Sequence, residues 1–454
     1  QGVLCEIQID PDLFAIPRIR LLELPTELSG PAIPHLNGEG QLCYIASGSV
    51  VLDIFDPIGQ ALACLDRAQQ VLVQIMKGEM VEDLAEEFFA YWGGSGWCLA
   101  DIQSNRFGKM KCNVIETKDG KDFWVVTDEP ERTKKKLSAI GFKTDLPKAS
   151  CVRIKTHAPP RPLVGHWPPK IVLDVLDWQS TLDANCRRKI HRCILEAEKN
   201  KEDHLLVIIE SPLMTYSFGV FFDRSKRAQS RKLADRRDPT YQLRIKPLST
   251  LRIDDRYLSE RNTPKRLTLA GKKIALVGCG TIGGYLADML VKAGAGTGGG
   301  ELTLIDFDLF MPQNIGRHRL GFPSLLINKA NAMTEELQRM APGALIKAVP
   351  GDVRTAALDN LDILIDATGE EALGHWLTAN YRSHNNIITI WIEGPGTAVR
   401  GLLTQRGAGS CFRCVWHHTR DEAFPSIKGS LPQIHAGQGC EGLYVPFPAT
   451  VSVQ

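Results

Sequence analysis

A chain of 454 residues, 43% hydrophobic and with a formal net charge of +2, has room for two to four domains and apolar material for more than one core. The near-neutral balance argues against a general nucleic-acid binder, and no apolar run reaches membrane-spanning length, so neither direct nucleic-acid contact nor a membrane is expected. Twelve irregularly spread cysteines, with no secretory leader ahead of them, read as reduced thiols of a cytoplasmic protein, some of them open to metal or nucleophilic work.

The chain begins at Gln1 without a Met and stops in mid-pattern at Gln454, so both ends are expected to be incomplete. Residues 1–105 form a first block, α+β in pattern. Strands are expected within Ile16 to Leu24 and Ser49 to Phe55, and helices over Cys64 to Met76 and Met80 to Trp92, where apolar residues recur every three or four positions. Residues 106–250 read as an α/β middle domain. Its expected strands are Phe123 to Val126, Leu205 to Ile209 and Tyr216 to Phe222, with a helix over 179–200. His157 to Pro162 is a stiff connector, and the basic run Arg224 to Arg237 reads as a solvated face, with a docking surface as the alternative. No motif in this block carries chemistry.

In residues 251–454 strands alternate with helices, the pattern of a mainly parallel α/β sheet of Rossmann type with its ligand at the carboxyl ends of the strands. Expected strands are Lys273 to Val277, Leu302 to Ile305, Ile346 to Val349, Ile363 to Ile365 and Ile387 to Ile392. Helices are expected over Thr281 to Ala293 and Pro323 to Met340. Between the first strand and helix lies Gly278-Cys279-Gly280-Thr281-Ile282-Gly283. Gly278, Gly280 and Gly283 permit a tight turn and bring backbone N–H groups close to phosphates. Asp306 ends the next strand, where a carboxylate accepts hydrogen bonds from a ribose. An NAD-dependent dehydrogenase shares those features. It has no common use for Asn314, Arg317, Lys329 and Asp366, which suit the charge of a triphosphate and a magnesium ion.

On these residues the segment 252–454 resembles the ThiF/MoeB/ubiquitin-activating adenylation family. The matching pieces are Arg256 to Asn262, the glycine turn, Asp306-Phe307-Asp308, Asn314 to Arg317, Lys329 and Asp362 to Thr368. The resemblance implies ATP and magnesium. Asp306 would hold the ribose, Asn314, Arg317 and Lys329 the phosphates, and Asp366 the magnesium. Arg261 would be delivered to the triphosphate across a two-fold dimer. The family's Arg-Gln is here Arg317-His318, which leaves the role of position 318 open. Its members join the C-terminal carboxylate of a small protein to AMP.

Cys411-Phe412-Arg413-Cys414 offers two ligands at zinc-knuckle spacing, to be completed by His417, His418 or a pair beyond the chain; the alternative is two buried thiols. A redox role is disfavoured, because the pair is not expected to open a helix as a thioredoxin site does. Cys440, in a glycine-rich stretch, suits a mobile thiol that takes an acyl group from the adenylate, with a structural cysteine as the alternative. Cys279 reads as filler.

His35-Leu36-Asn37-Gly38-Glu39-Gly40-Gln41-Leu42-Cys43 resembles the active-site segment of ubiquitin-conjugating domains, with Leu36 in place of their proline. Asn37 would donate to the oxyanion formed when an amine attacks a thioester on Cys43, and His35 would shape the turn rather than act as a base. Cys64 competes as nucleophile, since a cysteine at a helix start favours the thiolate. The order of blocks resembles the fused conjugating–activating enzymes of bacterial anti-phage CBASS operons. That resemblance implies a homodimeric core, the C-terminus of a cGAS-like nucleotidyltransferase as acyl donor and a target-protein amine as acceptor. A free-standing ubiquitin-like protein as donor, and a sulfur-carrier adenylyltransferase, are the alternatives.

Overall fold

The computed structural model describes residues 2–25, 28, 32–46, 48–92, 96–116, 122–142, 148–162, 167–222, 239–261, 263, 265–421, 423–437 and 444–453. The basic run Arg224 to Arg237, Asn262 and Cys440 lie outside them. The chain forms two compact units, residues 1–128 with 145–251, and residues 129–144 with 252–454. Among the described residues no helix is long and apolar enough to cross a membrane.

The first unit opens with an antiparallel sheet of β1 (Cys5–Gln8), β2 (Arg18–Leu21) and β3 (Gln41–Leu42). Along β2 the side chains alternate, Arg18 and Arg20 outward, Ile19 and Leu21 inward, as a two-residue period requires. The helix Pro57–Met76 covers this sheet. Asp56 caps it by accepting the Gly59 N–H, Pro57 fits the first turn, and Cys64, Ala68, Val71 and Ile75 form the buried stripe. Residues 48–56 are turns and irregular chain where a strand was expected. The expected helix over 80–92 is a 3-10 turn, Val81–Ala85, followed by the short helix Phe88–Trp92. The break has a cause in packing: Phe88 and Trp92 turn into a core other than the one beside Met80.

That other core belongs to a closed barrel of seven strands. These are β4 (Gly96–Asp101), β5 (Gly108–Glu116), β6 (Asp122–Thr127), β7 (Lys148–Lys155), β8 (His204–Glu210), β9 (Thr215–Phe221) and β10 (Arg244–Arg252), arranged β10-β4-β6-β5-β7-β8-β9. β4 runs parallel to β6, and β7 to β8, so two crossovers are needed. Between β7 and β8 come the helices Val172–Leu182 and Ala184–Lys199. The single helix expected over 179–200 is cut at Asp183, whose side chain caps the second piece through the N–H groups of Asn185 and Cys186. The barrel is filled by Cys98, Cys112, Trp124, Cys151, Leu206 and Leu248, and its helix-covered face by Val207, Phe218, Leu176, Trp178, Ile190 and Ile194.

The second unit is built on a six-stranded sheet of order β13-β12-β11-β14-β15-β16. Here β11 is Lys273–Val277, β12 Glu301–Ile305, β13 Ile346–Val349, β14 Ile363–Asp366 and β15 Asn386–Glu393, all parallel, with β16 (Ala398–Thr404) antiparallel at the edge. The chain runs outward from β11 through β12 to β13, then crosses back to β14 on the other side of β11, which makes a switch point between β11 and β14. The helix expected from Pro323 begins only at Lys329. Leu326 takes a left-handed conformation, φ +64, and Asn328 then caps the helix through the Asn331 N–H.

Candidate functional site

At the switch point the register is direct. Val277 is paired with Ile305 on one side and Asp366 on the other, so the glycine turn, Asp306 and Asp366 meet at one edge of the sheet. Each glycine answers a different demand. Gly278 has φ +87, and a Cβ there would stand 2.8 Å from Thr368 Cγ2. At Gly283 a Cβ would come within 1.8 Å of the Gly278 carbonyl oxygen, so only glycine lets the helix Thr281–Lys292 approach the turn. Gly280 caps that helix, and a Cβ there would meet nothing within 4 Å, so the space beside this position at the helix start is open.

The carboxylates are held by the backbone. Asp306 accepts the N–H of Cys279 at 2.7 Å and of Asp308 at 2.8 Å; Asp366 accepts the Thr368 hydroxyl at 2.7 Å and its N–H at 3.1 Å. Burial pushes the carboxyl of each above the usual range, against the pull of those hydrogen bonds. The role of position 318 is structural. His318 is 6% exposed, its Nδ1 accepts the Leu320 N–H at 2.9 Å, and its Nε2 therefore carries the proton donated to the Cys279 carbonyl at 2.7 Å. Cys279 is itself fully buried in the core of the sheet, and that burial pushes its thiol up, as suits a packing residue.

The candidate phosphate residues have partners. Lys329 Nζ lies 2.7 Å from Asp308 Oδ2, and Asn314 Oδ1 accepts the Met311 N–H at 2.9 Å, which leaves its NH2 group as the donor end. The Arg317 guanidinium lies over Phe447 at 4.8 Å and Tyr444 at 5.7 Å, and reaches the Val445 carbonyl at 3.5 Å. Arg261 is exposed at the end of the helix Asp255–Glu260, its guanidinium 5.9 Å from the Tyr257 ring. Cys440 falls outside the described residues, but Ala436 and Tyr444 on either side of it do not. They exchange two backbone hydrogen bonds of 2.8 Å, and Tyr444 also faces Arg317.

Cys411 and Cys414 lie with sulfurs 3.7 Å apart. Contrary to expectation the pair does open a helix: Cys411 is the N-cap of Phe412–Arg420. Hydrogen bonds from Cys411 lower the Cys414 thiol below its usual value. Among the described residues no group of three or more His, Cys, Asp or Glu side chains gathers as a metal site.

In the first unit, a cleft of about 730 Å3 is lined by Asn37, Cys43, Glu87 and Tyr91. Cys43 is exposed and donates its N–H to the His35 carbonyl at 2.7 Å. Asn37 uses its side-chain oxygen to fasten the turn, accepting the N–H of Glu39 at 3.0 Å and Gln41 at 2.9 Å, so its NH2 end can donate elsewhere. Cys64 is buried, 3% exposed, and lies in the middle of its helix rather than at the start, so it lacks the free N–H groups that would favour a thiolate. Sequence reasoning missed Asp83, Glu87, Tyr91, Tyr444 and Phe447. The first three carry no motif; the last two follow the glycine-rich stretch as an apolar segment expected to be a strand, which the structure shows as one isolated bridge at Tyr444 and irregular chain after it.

Comparison with known proteins agrees with this division. The ThiF family model matches residues 256–440, and the model described as Prokaryotic E2 family B matches residues 5–95. An ATP-dependent ubiquitin transferase-like protein Cap2 from Pseudomonas aeruginosa is 58% identical over the whole of this chain and 83% of its own length. Proteins of the same description from Escherichia coli and Vibrio cholerae are 28% and 27% identical, each over 98% of this chain and 82% of the relative.

Proposed function

The chain belongs to the family of ATP-dependent ubiquitin transferase-like Cap2 proteins, and within that activity we propose a division of labour between its two candidate sites. The second unit adenylates a protein C-terminus; Cys440 takes the acyl group; Cys43 carries it to an amine. The donor is the C-terminus of a cGAS-like nucleotidyltransferase and the acceptor a target-protein amine, in a bacterial anti-phage system of the CBASS kind. The observation that carries the reading is the pairing of Val277 with both Ile305 and Asp366, which gathers the glycine turn, the half-buried Asp306 and the buried Asp366 at one switch point.

The residues fit ATP. Gly280 leaves open space beside the start of a helix, and the strand-end carboxylate Asp306 would hold the ribose. Arg317, Lys329 and Asn314 neutralise and orient phosphate, and Arg261 is supplied across a homodimer. Asp366 would hold magnesium, which supplies positive charge to the departing pyrophosphate. Cys411 and Cys414 offer two of the four ligands of a structural zinc, and among the described residues no further ligand stands with them. A donor carboxylate oxygen attacks the α-phosphorus and pyrophosphate leaves. The Cys440 sulfur then attacks the acyl carbon, AMP leaves, and the thiol proton passes to solvent. Exchange with the Cys43 thiol restores Cys440. Finally the amine nitrogen attacks the acyl carbon, Asn37 donates to the oxyanion, and the C–S bond breaks, so an amide forms while the proton lost by nitrogen passes through solvent to the Cys43 thiolate.

The test is ATP–pyrophosphate exchange by the full chain with purified candidate donors. Exchange stimulated by a cGAS-like nucleotidyltransferase, and lost when its last residue is removed, is the expected result. Stimulation by a free-standing ubiquitin-like protein alone would replace the donor, and NAD binding without ATP binding would overturn the reading.

A further inference from the structure

Glu87 holds His35 at two places. Its Oε2 accepts the His35 main-chain N–H at 3.0 Å, and its Oε1 lies 2.8 Å from ring Nδ1. The other ring nitrogen, Nε2, lies 2.9 Å from Asp83 Oδ2. His35 needs this support, because it has φ +59, a left-handed conformation unfavourable for any side chain with a Cβ. The His35 carbonyl in turn accepts the Cys43 N–H at 2.7 Å. A continuous run of contacts therefore links the Glu87 carboxylate, through a strained residue, to the main chain that carries the thiol.

The barrel fixes Glu87. Phe88 and Trp92, on the helix that begins beside Glu87, are 0% and 2% exposed in the aromatic core against the barrel. The Phe88 ring stacks on Trp178 at 5.8 Å and on Trp92 at 5.2 Å. Trp92 Nε1–H donates to the Ser217 carbonyl on β9, and Trp167 Nε1–H to the Tyr91 carbonyl, each at 3.0 Å. The Tyr91 hydroxyl stands 3.0 Å from Glu87 Oε2 on the cleft side. This short helix thus turns Phe88 and Trp92 into the core on the barrel's helix-covered face, while Glu87, just ahead of it, and Tyr91 line the cleft at Cys43.

We propose that Glu87 is a positioning residue for Cys43: anchored to the barrel through Phe88 and Trp92, it holds His35 in its left-handed conformation and so sets the main chain that presents the thiol. His35 is a strut, both ring nitrogens being turned to carboxylates. The middle barrel, in which no motif carries chemistry, is the mount for the second transfer. The inference rests on Cys43 being the acyl carrier.

The experiment uses the full chain with ATP, magnesium, a cGAS-like nucleotidyltransferase as donor and free lysine as acceptor, quenched at intervals and resolved without reductant. Glu87→Ala is expected to leave ATP–pyrophosphate exchange unchanged and to slow loading and discharge of Cys43 by roughly tenfold to a hundredfold. Glu87→Gln, which keeps one oxygen to accept a hydrogen bond, restores part of the rate. On a His35→Gly background the left-handed backbone needs no prop, and Glu87→Ala then costs less than about twofold more. Should Glu87→Ala fail to fold, the same cycle is run with Glu87→Gln, its partial loss vanishing on the His35→Gly background. Wild-type kinetics at Cys43 in Glu87→Ala, or an equal loss on the His35→Gly background, would overturn the proposal. Conjugation that survives Cys43→Ala would instead remove the carrier reading on which it rests.

Discussion

His318 Nε2–H donates to the Cys279 carbonyl at 2.7 Å while its Nδ1 accepts from Leu320, so a neutral imidazole latches the middle of the glycine turn from below. Burial lowers the His318 value below the ordinary one. With the folded value depressed, the stability this latch contributes is present above the unfolded histidine value, about 6.5, and is lost as pH falls through the folded value. Asp306 and Asp366 act in the opposite sense, since their raised carboxyl values favour the folded state on acidification. The informative quantity is therefore the difference between wild type and His318→Gln. Nucleotide affinity of the wild type should fall on the acid side more steeply than that of His318→Gln, as measured by calorimetric titration between neutral and mildly acid pH.

Glycines 280 and 283 separate binding from stability. Gly283→Ala puts a methyl 1.8 Å from the Gly278 carbonyl oxygen and should cost about 1–3 kcal/mol of stability as well as nucleotide binding. Gly280→Ala meets no atom within 4 Å, so its Tm should stay near wild type while ATP affinity drops roughly tenfold, because the methyl fills the space over the helix start. Thermal melts with and without ATP check both.

Arg317 is stacked on Phe447, three positions after Tyr444, which bridges to Ala436 on the other side of Cys440 in sequence. Phe447→Ala removes a contact worth about 0.5–2 kcal/mol and loosens the segment that follows Cys440. Formation of the Cys440 thioester should slow roughly tenfold, while ATP–pyrophosphate exchange changes much less. Rapid-quench measurement of the two steps on one preparation distinguishes them.

Cys414 is exposed and its thiol is lowered by hydrogen bonding from Cys411, whereas burial raises the Cys279 thiol. Near neutral pH iodoacetamide should label Cys414 well before Cys279. If the pair holds zinc, added zinc protects Cys414 and a chelator restores labelling, both read by peptide mass spectrometry.

Much of the second unit was legible in the sequence because its determinants are local. A short apolar strand, three glycines and a helix stand in line, and Asp306 and Asp366 close strands that the periodicity marks. What escaped notice depends on distance along the chain. Glu87 lies 52 residues from His35, and nothing in the residues between announces the contact. The barrel joins β4 to β6 and β7 to β8 in parallel across long crossovers, which no local pattern records. The helix periodicity over Met80 to Trp92 misled for a physical reason, since the segment feeds two cores and breaks between them. The late start of the helix at Lys329 follows from the left-handed Leu326, whose N–H donates to the Phe310 carbonyl, so main-chain hydrogen bonds to a segment earlier in the chain set it rather than a breaker residue.

The most direct measurement of the central claim is an order-of-transfer experiment on the full chain with ATP, magnesium and a cGAS-like nucleotidyltransferase. Non-reducing gels should show a reductant-sensitive adduct that accumulates on Cys440 in the Cys43→Ala protein and disappears altogether in Cys440→Ala, with ATP–pyrophosphate exchange kept in both. An adduct that still forms on Cys43 without Cys440, or conjugation that proceeds without either thiol, would contradict the account.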